Sequence, residues 1–392
     1  MNSFKYQCSE CGKTFDITPQ IMLCDKCSKA QEQNKPLRGI LEVTPPKKAS
    51  LEDIFSFLPL EKKNFPNLPV GNSPIWTADL LGRETGFDNL YIKNDGTNPT
   101  ASFKDRASWP VAAFAKTWGI NEIVLASTGN AASSMAGIGA CAGLKVTIFL
   151  PENVPMGKLV QSLQYGARVI LVDGNYDAAY ELSMQYSKEK GGLNRNTAYN
   201  PITIEGKKTV SIEIVRDLKK APDHVFVPVG DGVILSGVYK GFRDLLSLGL
   251  IDKVPTIHAI QSSTSDAIHR AWNNGGKFDF KHSSTIADSI CVDVPRCGHL
   301  AVKNLYSHNG KCITVSDDEI LVAQKTLSEK AGLFTEPAGA ASYAGFLKAK
   351  DQIEKDSTIV ILATGMGLKD LSAAQNKIKI PTKTVKDITE ID

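Results

Sequence analysis

From about residue 75 onward, hydrophobic positions follow two alternating patterns along the chain. Short runs rich in β-branched residues are separated by longer stretches of helical length. The runs predict strands at Leu90–Lys93, Ile123–Ala126, Lys145–Leu150, Arg168–Val172, His224–Val229, Thr256–Gln261 and Thr358–Ala363. The stretches between them predict helices at Ala131–Cys141, Gly157–Gln164, Asp177–Glu189, Glu205–Leu218 and Leu235–Leu248. Strands that alternate with helices in this way favour an α/β fold with mainly parallel sheets.

The first 40 residues lack this periodicity and hold two Cys-x-x-Cys pairs. Four thiolates in two short pairs suit a tetrahedral zinc ion, which would supply folding energy to a segment with little core. An all-cysteine set favours a closed, structural site, and the alternatives are unconnected thiols or a redox pair. The predicted ligands are Cys8, Cys11, Cys24 and Cys27.

Composition narrows the class of protein. The chain has 392 residues, of which 42% are hydrophobic and 22% charged, with a net charge of +3. These values predict a globular protein of two or three domains and argue against nucleic acid or an acidic membrane as the main partner. No apolar run approaches the roughly 20 residues of a membrane helix, and the start lacks an apolar signal core. We expect a cytoplasmic protein, monomeric or homodimeric, that acts on small molecules.

The loops after the predicted strands should hold the functional site, because ligands bind beyond the carboxyl ends of parallel strands. The first is NDGTNPTASFKDR, from Asn94 to Arg106. Ser102 can cap a helix there, which would place Lys104 at the positive end of the helix dipole and lower its pKa. Such a lysine is a candidate Schiff-base nucleophile. The alternative is a surface lysine paired with Asp105.

Two further turns are typical of anion sites at helix starts. Ser127-Thr128-Gly129-Asn130 would suit a carboxylate, and the turn Gly230–Ile234 would suit a phosphate; ordinary capped turns are the alternative for both. Thr364 follows the last predicted strand, where its hydroxyl could meet a ring nitrogen. The glycines of GIGACAG are spaced wrongly for a dinucleotide fingerprint, which argues against a nicotinamide dehydrogenase and predicts close helix packing.

Five motifs occur together in order: NPTASFKDR, ASTGNAASS, PVGDGVILSGVYKGF, FTEPAGAASYAG and LATGMGLKD. In this set the chain resembles the pyridoxal-phosphate enzymes of the tryptophan-synthase-β fold type, and most of all the threonine synthase family, over about residues 70–370. The resemblance implies two open, parallel-rich sheets flanked by helices, with a small zinc-ribbon-like segment at residues 1–40. It also implies a large cofactor-binding domain from residues 41–105 and 200–392, and a small mobile domain from residues 106–199.

The resemblance implies a role for each matching residue. Lys104 would hold the cofactor as a Schiff base and then move protons. Asn130 would donate a hydrogen bond to the cofactor's 3′-oxygen, and Thr364 would face its ring nitrogen. The substrate carboxylate would be held by Ser127, Thr128, Gly129 and Asn130. The cofactor phosphate would be held by Gly230, Asp231, Gly232, Val233 and Ile234. The implied reaction converts O-phospho-L-homoserine and water to L-threonine and phosphate.

The chain departs from the family pattern in two places. The usual turn resembles Gly-Asn-Gly-Gly-Asn, whereas Asp231 here adds a negative charge near the expected substrate phosphate. Thr203 stands where the family has an arginine. The candidates to replace that arginine are Lys158, Arg168, Lys207 and Lys208. The alternative function is another pyridoxal-phosphate lyase or β-replacement enzyme, such as a threonine or serine dehydratase.

Overall fold

The computed structural model describes residues 4–152, 156–375, 378 and 384–387. The strands are β1 (Tyr6–Cys8), β2 (Thr14–Phe15), β3 (Leu41–Val43), β4 (Ile75–Thr77), β5 (Leu90–Asn94), β6 (Glu122–Ala126), β7 (Lys145–Pro151), β8 (Arg168–Val172), β9 (Leu193–Asn194), β10 (His224–Pro228), β11 (Thr256–Ser262), β12 (Lys311–Val315) and β13 (Ile359–Ala363). The helices are α1 (Asp79–Thr85), α2 (Asp105–Thr117), α3 (Asn130–Ala142), α4 (Met156–Gln164), α5 (Tyr176–Lys190), α6 (Ile202–Lys207), α7 (Thr209–Leu218), α8 (Val233–Ser247), α9 (Ala267–Asn273), α10 (Gly298–Ser307), α11 (Asp317–Ala331), α12 (Pro337–Ala349) and α13 (Leu371–Gln375). Within the described ranges, no helix is both long and apolar enough to cross a bilayer.

Two open, parallel-rich sheets confirm the predicted fold class. The larger has the strand order β12-β11-β10-β13-β5-β4, and only β4 runs antiparallel to its neighbour. The smaller has the order β8-β7-β6-β9 with all strands parallel. Because β13 lies between β10 and β5, the loops that follow these three strands meet at one edge of the larger sheet. The predicted domain boundaries remain predictions.

The predicted elements agree with the structure except in one helix. The stretch 205–218 was predicted as a single helix, and it is instead divided at Lys208 into α6 and α7. The division follows Gly206, where an added Cβ would lie 1.8 Å from the Arg106 carbonyl oxygen. Glycine is a poor helix former, but at this position it lets α2 and α6 approach closely. The prediction of one continuous helix was therefore wrong.

Of the three glycines of GIGACAG, Gly143 caps the end of α3 with a φ of 68°, whereas the other two lie inside the helix and serve its packing, as predicted. An added Cβ at Gly139 would meet the Val146 side chain at 2.3 Å. At Gly137 the nearest atoms belong to Thr100 and Tyr165.

A buried charge network fixes the start of α2, the helix that follows the lysine motif. The Arg106 guanidinium pairs with Asp95 and with Glu213, whose Oε1 lies 2.6 Å from Nη1. Lys93 Nζ lies 2.9 Å from the other Glu213 oxygen. Burial alone raises the pKa of Glu213, but the charges and hydrogen bonds of Arg106 and Lys93 outweigh it and lower that pKa to about 2.

Glu213→Gln is expected to destabilise the protein at neutral pH by roughly 3–5 kcal/mol, because it leaves two buried cations short of a counter-charge. Since the folded pKa of Glu213 is lowered, its contribution is complete above the unfolded pKa of about 4.3 and is lost as pH falls towards 2. Urea unfolding at several pH values should therefore show a shallower acid decline for the variant. The exposed Glu329→Gln is the control; an equal effect of both variants would contradict the prediction.

Candidate active site

A single cavity of about 450 Å³ collects every predicted site residue outside the cysteine segment. Its lining comes from the loops at both parallel-rich sheets. The predicted residues that line it are Lys104, Ser127, Thr128, Gly129, Asn130, Gly230, Asp231, Gly232, Val233, Ile234 and Thr364. The volume falls within the range of about 300–1,000 Å³ that is usual for small-molecule sites.

Backbone hydrogen bonds hold the lysine motif against the loop after β13. The Phe103 N–H donates to the Thr364 carbonyl at 2.8 Å, and the Met366 N–H donates to the Ala101 carbonyl at 3.1 Å. The Ser102 hydroxyl accepts the Lys104 N–H at 3.1 Å, next to the start of α2. These hydrogen bonds fix the lysine at the carboxyl ends of the strands of the larger sheet.

Lys104 faces the cavity, and the alternative of a surface lysine paired with Asp105 is wrong. The Asp105 carboxylate is buried and accepts from Thr100 instead, at 2.7 Å from the backbone N–H and 2.5 Å from the hydroxyl. Burial lowers the pKa of Lys104, Glu336 opposes this effect, and the nearby Arg195 adds to it. The direction agrees with the sequence prediction, although the main cause is burial.

Glu336 is a site residue that the sequence reasoning missed. Both of its carboxylate oxygens accept from Asn130 Nδ2, at 3.0 and 2.9 Å, and the same amide reaches Ser289 Oγ at 3.2 Å. Burial raises the pKa of Glu336, opposed by the hydrogen bond from Asn130 and the charge of Lys104. The motif FTEPAG places this glutamate immediately before Pro337, the first residue of α12. A proline at the first position of a helix was the sequence signal that marked Glu336 as the residue before a helix start.

The turn Gly230–Ile234 connects β10 to α8. The Asp231 carboxylate accepts the Arg296 N–H through Oδ1, while Oδ2 is buried without a hydrogen-bond partner in the described chain. The Asp231 carbonyl accepts the Cys297 N–H at 3.0 Å. Burial raises the pKa of Asp231, and the Arg296 amide and Lys207 oppose that rise.

The model of the family "Pyridoxal-phosphate dependent enzyme" matches residues 67–365. The chain belongs to this family. It is 36% identical to the threonine synthase of Methanocaldococcus jannaschii, with 97% of each chain covered. It is 33% identical to the threonine synthase of Methanosarcina acetivorans, over 99% of this chain and 98% of the other. The chain is therefore a pyridoxal-phosphate-dependent lyase.

Solved structures show the same fold. The processed threonine deaminase isoform 2 of Solanum lycopersicum superposes with a TM-score of 0.71 at 22% identity, covering 90% of this chain and 99% of the other. Maize serine racemase gives a TM-score of 0.69 at 23% identity, covering 78% of this chain and 91% of the other. At this identity the likeness concerns the architecture alone.

The residues of the cavity fit pyridoxal phosphate. The first N–H groups of α8 lack partners within the helix and can bind a phosphate. Gly230 lies against Ile290, where an added Cβ would be 2.8 Å from the backbone, and Gly232 has a φ of +88° that favours glycine. The Lys104 amine, which faces the cavity, and the buried Asn130 amide complete a set of groups that matches the cofactor's aldehyde, phenolic oxygen and phosphate.

The structure separates the candidates for the missing family arginine. Thr203 is buried, and its hydroxyl donates to the Asn200 carbonyl at 2.8 Å. Arg168 Nη1 donates to the Tyr186 hydroxyl at 3.5 Å, and Arg168 does not line the cavity as the structure describes it. Lys208 is paired with Glu205 and Asp244, whereas Lys207 lines the cavity. The side chain of Lys158 lies outside the described residues.

The four predicted zinc ligands lie together, with their sulfur atoms all within 4.8 Å of one another. Cys8 ends β1, in a three-stranded antiparallel sheet with the order β2-β1-β3. The turn after it closes with the Gly12 N–H donating to the Cys8 carbonyl at 3.0 Å, and the Ser28 N–H donates to the Cys24 carbonyl at the same distance. Four clustered thiols suit a tetrahedral metal ion.

Proposed function

We propose that this enzyme converts O-phospho-L-homoserine and water to L-threonine and phosphate. The observation that carries the proposal is the 36% identity to a threonine synthase over 97% of both chains. The match to the Methanosarcina acetivorans threonine synthase covers 99% of this chain and so extends over the cysteine segment as well as the catalytic region. The solved threonine deaminase of Solanum lycopersicum shares only 22% identity with this chain, so the dehydratase alternative has no comparable support.

Residues of the cavity would hold the cofactor in a defined orientation. Lys104 would attach it covalently, and the amides of the turn Gly230–Ile234 would bind its phosphate. The Asn130 amide would donate to the 3′-oxygen, with Glu336 orienting that amide through two hydrogen bonds. Thr364 would place a neutral hydroxyl at the ring nitrogen. When bound, pyridoxal phosphate withdraws electron density from the substrate carbon atoms and so stabilises a developing carbanion.

The protein's own groups would bind the substrate and move its protons. A lowered pKa leaves more of the Lys104 amine neutral, and a neutral amine can accept a proton from the substrate Cα. The Ser127 and Thr128 hydroxyls, with the first amides of α3, would hold the substrate carboxylate. Placing the carboxylate and the lysine at one cavity fixes which substrate bond faces the base.

The holoenzyme is expected to release phosphate and threonine in equal amounts from O-phospho-L-homoserine. Both products should be measured together, in parallel with assays of ammonia release from L-serine and L-threonine. Deamination of serine or threonine without phosphate release from phosphohomoserine would replace this proposal with the dehydratase alternative.

We also propose that Cys8, Cys11, Cys24 and Cys27 bind one structural zinc ion. The support is the mutual distance of their sulfur atoms, at most 4.8 Å. Four cysteine ligands leave no open coordination position for a substrate, so this metal would act on folding and not on chemistry.

A further inference from the structure

Two buried cations face the cavity, and among the described residues neither has a carboxylate within ion-pair distance. Lys207 and Arg195 are each 1% exposed, and both line the cavity. In the part of the chain that the structure describes, neither forms an ion pair within 4.0 Å, and Arg195 Nε has no hydrogen-bond partner. A buried cation without a counter-charge is costly, so this arrangement points to an anionic ligand.

The neighbouring lysine, Lys208, is buried with carboxylate partners. Its Nζ lies 2.5 Å from Glu205 and 2.8 Å from Asp244. Lys207, one residue earlier, is directed to the cavity instead. Of these two adjacent lysines, the one that lines the cavity is therefore the one without a carboxylate partner among the described residues.

We infer that Lys207 and Arg195 form the subsite for the leaving phosphate of the substrate, an inference that rests on the proposed function. The two cations come from different elements, since Lys207 ends α6 and Arg195 follows β9. Arg195 donates its backbone N–H to the Val124 carbonyl of β6 at 2.8 Å. It therefore lies at the same sheet edge as the Ser127 loop, which we assign to the substrate carboxylate.

The cofactor's phosphate has separate donors, namely the amides at the start of α8. A second phosphate therefore needs its own cations, and a charged hydrogen bond from each of two side chains supplies them. Burial and then the charges of Lys104 and Arg195 lower the pKa of Lys207, and Asp231 opposes them. A bound anion would likewise favour the charged form of Lys207, because an opposite charge nearby stabilises an ammonium group. Asp231 therefore favours the charged form of Lys207, in addition to any repulsion that it exerts on the substrate.

Steady-state kinetics of the holoenzyme test the subsite with two variants of one residue. Lys207→Met is expected to raise the KM for O-phospho-L-homoserine and the inhibition constant of inorganic phosphate roughly 10- to 100-fold, the range for losing a hydrogen bond to a charged group. Lys207→Arg should restore most of both. The visible absorbance and the release rate of the bound cofactor should stay at wild-type values, as they should in the exposed Lys116→Met.

The outcomes distinguish a site for the substrate's phosphate from a site for the cofactor's phosphate. Faster cofactor release in Lys207→Met with unchanged inhibition by inorganic phosphate would overturn the inference, because Lys207 would then serve the cofactor. Unchanged constants in every assay would overturn it as well. If the wild-type enzyme does not turn over phosphohomoserine but inorganic phosphate still perturbs the cofactor absorbance through Lys207, the subsite is supported and the proposed substrate fails.

A separate set of contacts joins the cysteine segment to the cofactor loop. The Leu37 N–H donates to the Arg296 carbonyl at 2.9 Å, and the next residue, Cys297, donates to the Asp231 carbonyl at 3.0 Å. The Arg296 N–H donates to the Asp231 carboxylate. The Leu37 side chain is buried in one cluster with Val233 and Cys297.

The same segment is tied to the cysteines on its other side. The Cys24 N–H donates to the Gly39 carbonyl at 2.8 Å, and the Ser9 N–H donates to the Ile40 carbonyl at 2.9 Å. Residues 37–40 therefore lie between the cysteine cluster and the turn Gly230–Ile234. We infer that a metal ion in the cysteine cluster stabilises this turn and slows the release of pyridoxal phosphate.

Cofactor release from the holoenzyme tests this coupling. After removal of the metal by a chelator, release followed by visible absorbance should be several-fold faster than in the metal-loaded protein. Leu37→Ala should release the cofactor faster while metal analysis still finds the ion. An unchanged release rate after metal removal, or in Leu37→Ala, would overturn the inference.

Discussion

Lys104→Ala is expected to lose the covalently held cofactor and to lower turnover by about 10³-fold or more, the scale of a lost catalytic nucleophile and proton-transfer group. Lys104 is the lysine that the segment Ala101–Phe103 fixes against Thr364 and that faces the cavity. Borohydride reduction followed by mass analysis of peptides should find the cofactor on Lys104 in the wild type. The variant should yield no such adduct and should lose the visible absorbance.

The matched control is Lys116→Ala on the same helix. Lys116 lies in the last turn of α2 and is exposed, so its removal should leave both the adduct and the turnover at wild-type levels. A Lys104→Ala protein that retained a borohydride-trapped adduct would contradict the assignment of this lysine.

Metal removal is expected to unfold the first 40 residues, with a smaller effect on the catalytic region. The short strands β1 and β2 hold few apolar side chains, and structural zinc contributes folding free energy directly, about 10–16 kcal/mol in isolated zinc-finger peptides. Freshly prepared protein should contain one zinc ion per chain. After chelation, limited proteolysis should cut within residues 1–40 first.

Cys24→Ser should reproduce the effect, because Cys24 is buried within the cluster. Cys141→Ser is the control, since Cys141 is exposed and lies outside the cluster. Protein that contains no zinc when freshly prepared, or equal zinc loss in the two variants, would contradict the prediction.

Local patterns in the sequence were enough for the features that depend on neighbouring residues. The strand runs, the helix start beside Lys104 and the glycine turn before α8 each depend on a few consecutive residues. The sequence pattern therefore predicts them without knowledge of the tertiary structure. The two Cys-x-x-Cys pairs are likewise local patterns that can be recognised from a few consecutive residues. The single predicted helix over 205–218 failed because its division follows Gly206, whose contact with Arg106 is a property of helix packing.

The sequence by itself therefore determined the α/β fold class, the cysteine cluster and several of the residues that line the cavity, although not Glu336. Only the tertiary structure decided how those residues are partnered. Asn130 and Glu336 are 206 residues apart, and no local pattern records a contact over that separation. The sequence likewise left Lys207 and Lys208 equivalent. The fold gives one of them two carboxylates and directs the other to the cavity, because helix packing sets the direction of each side chain.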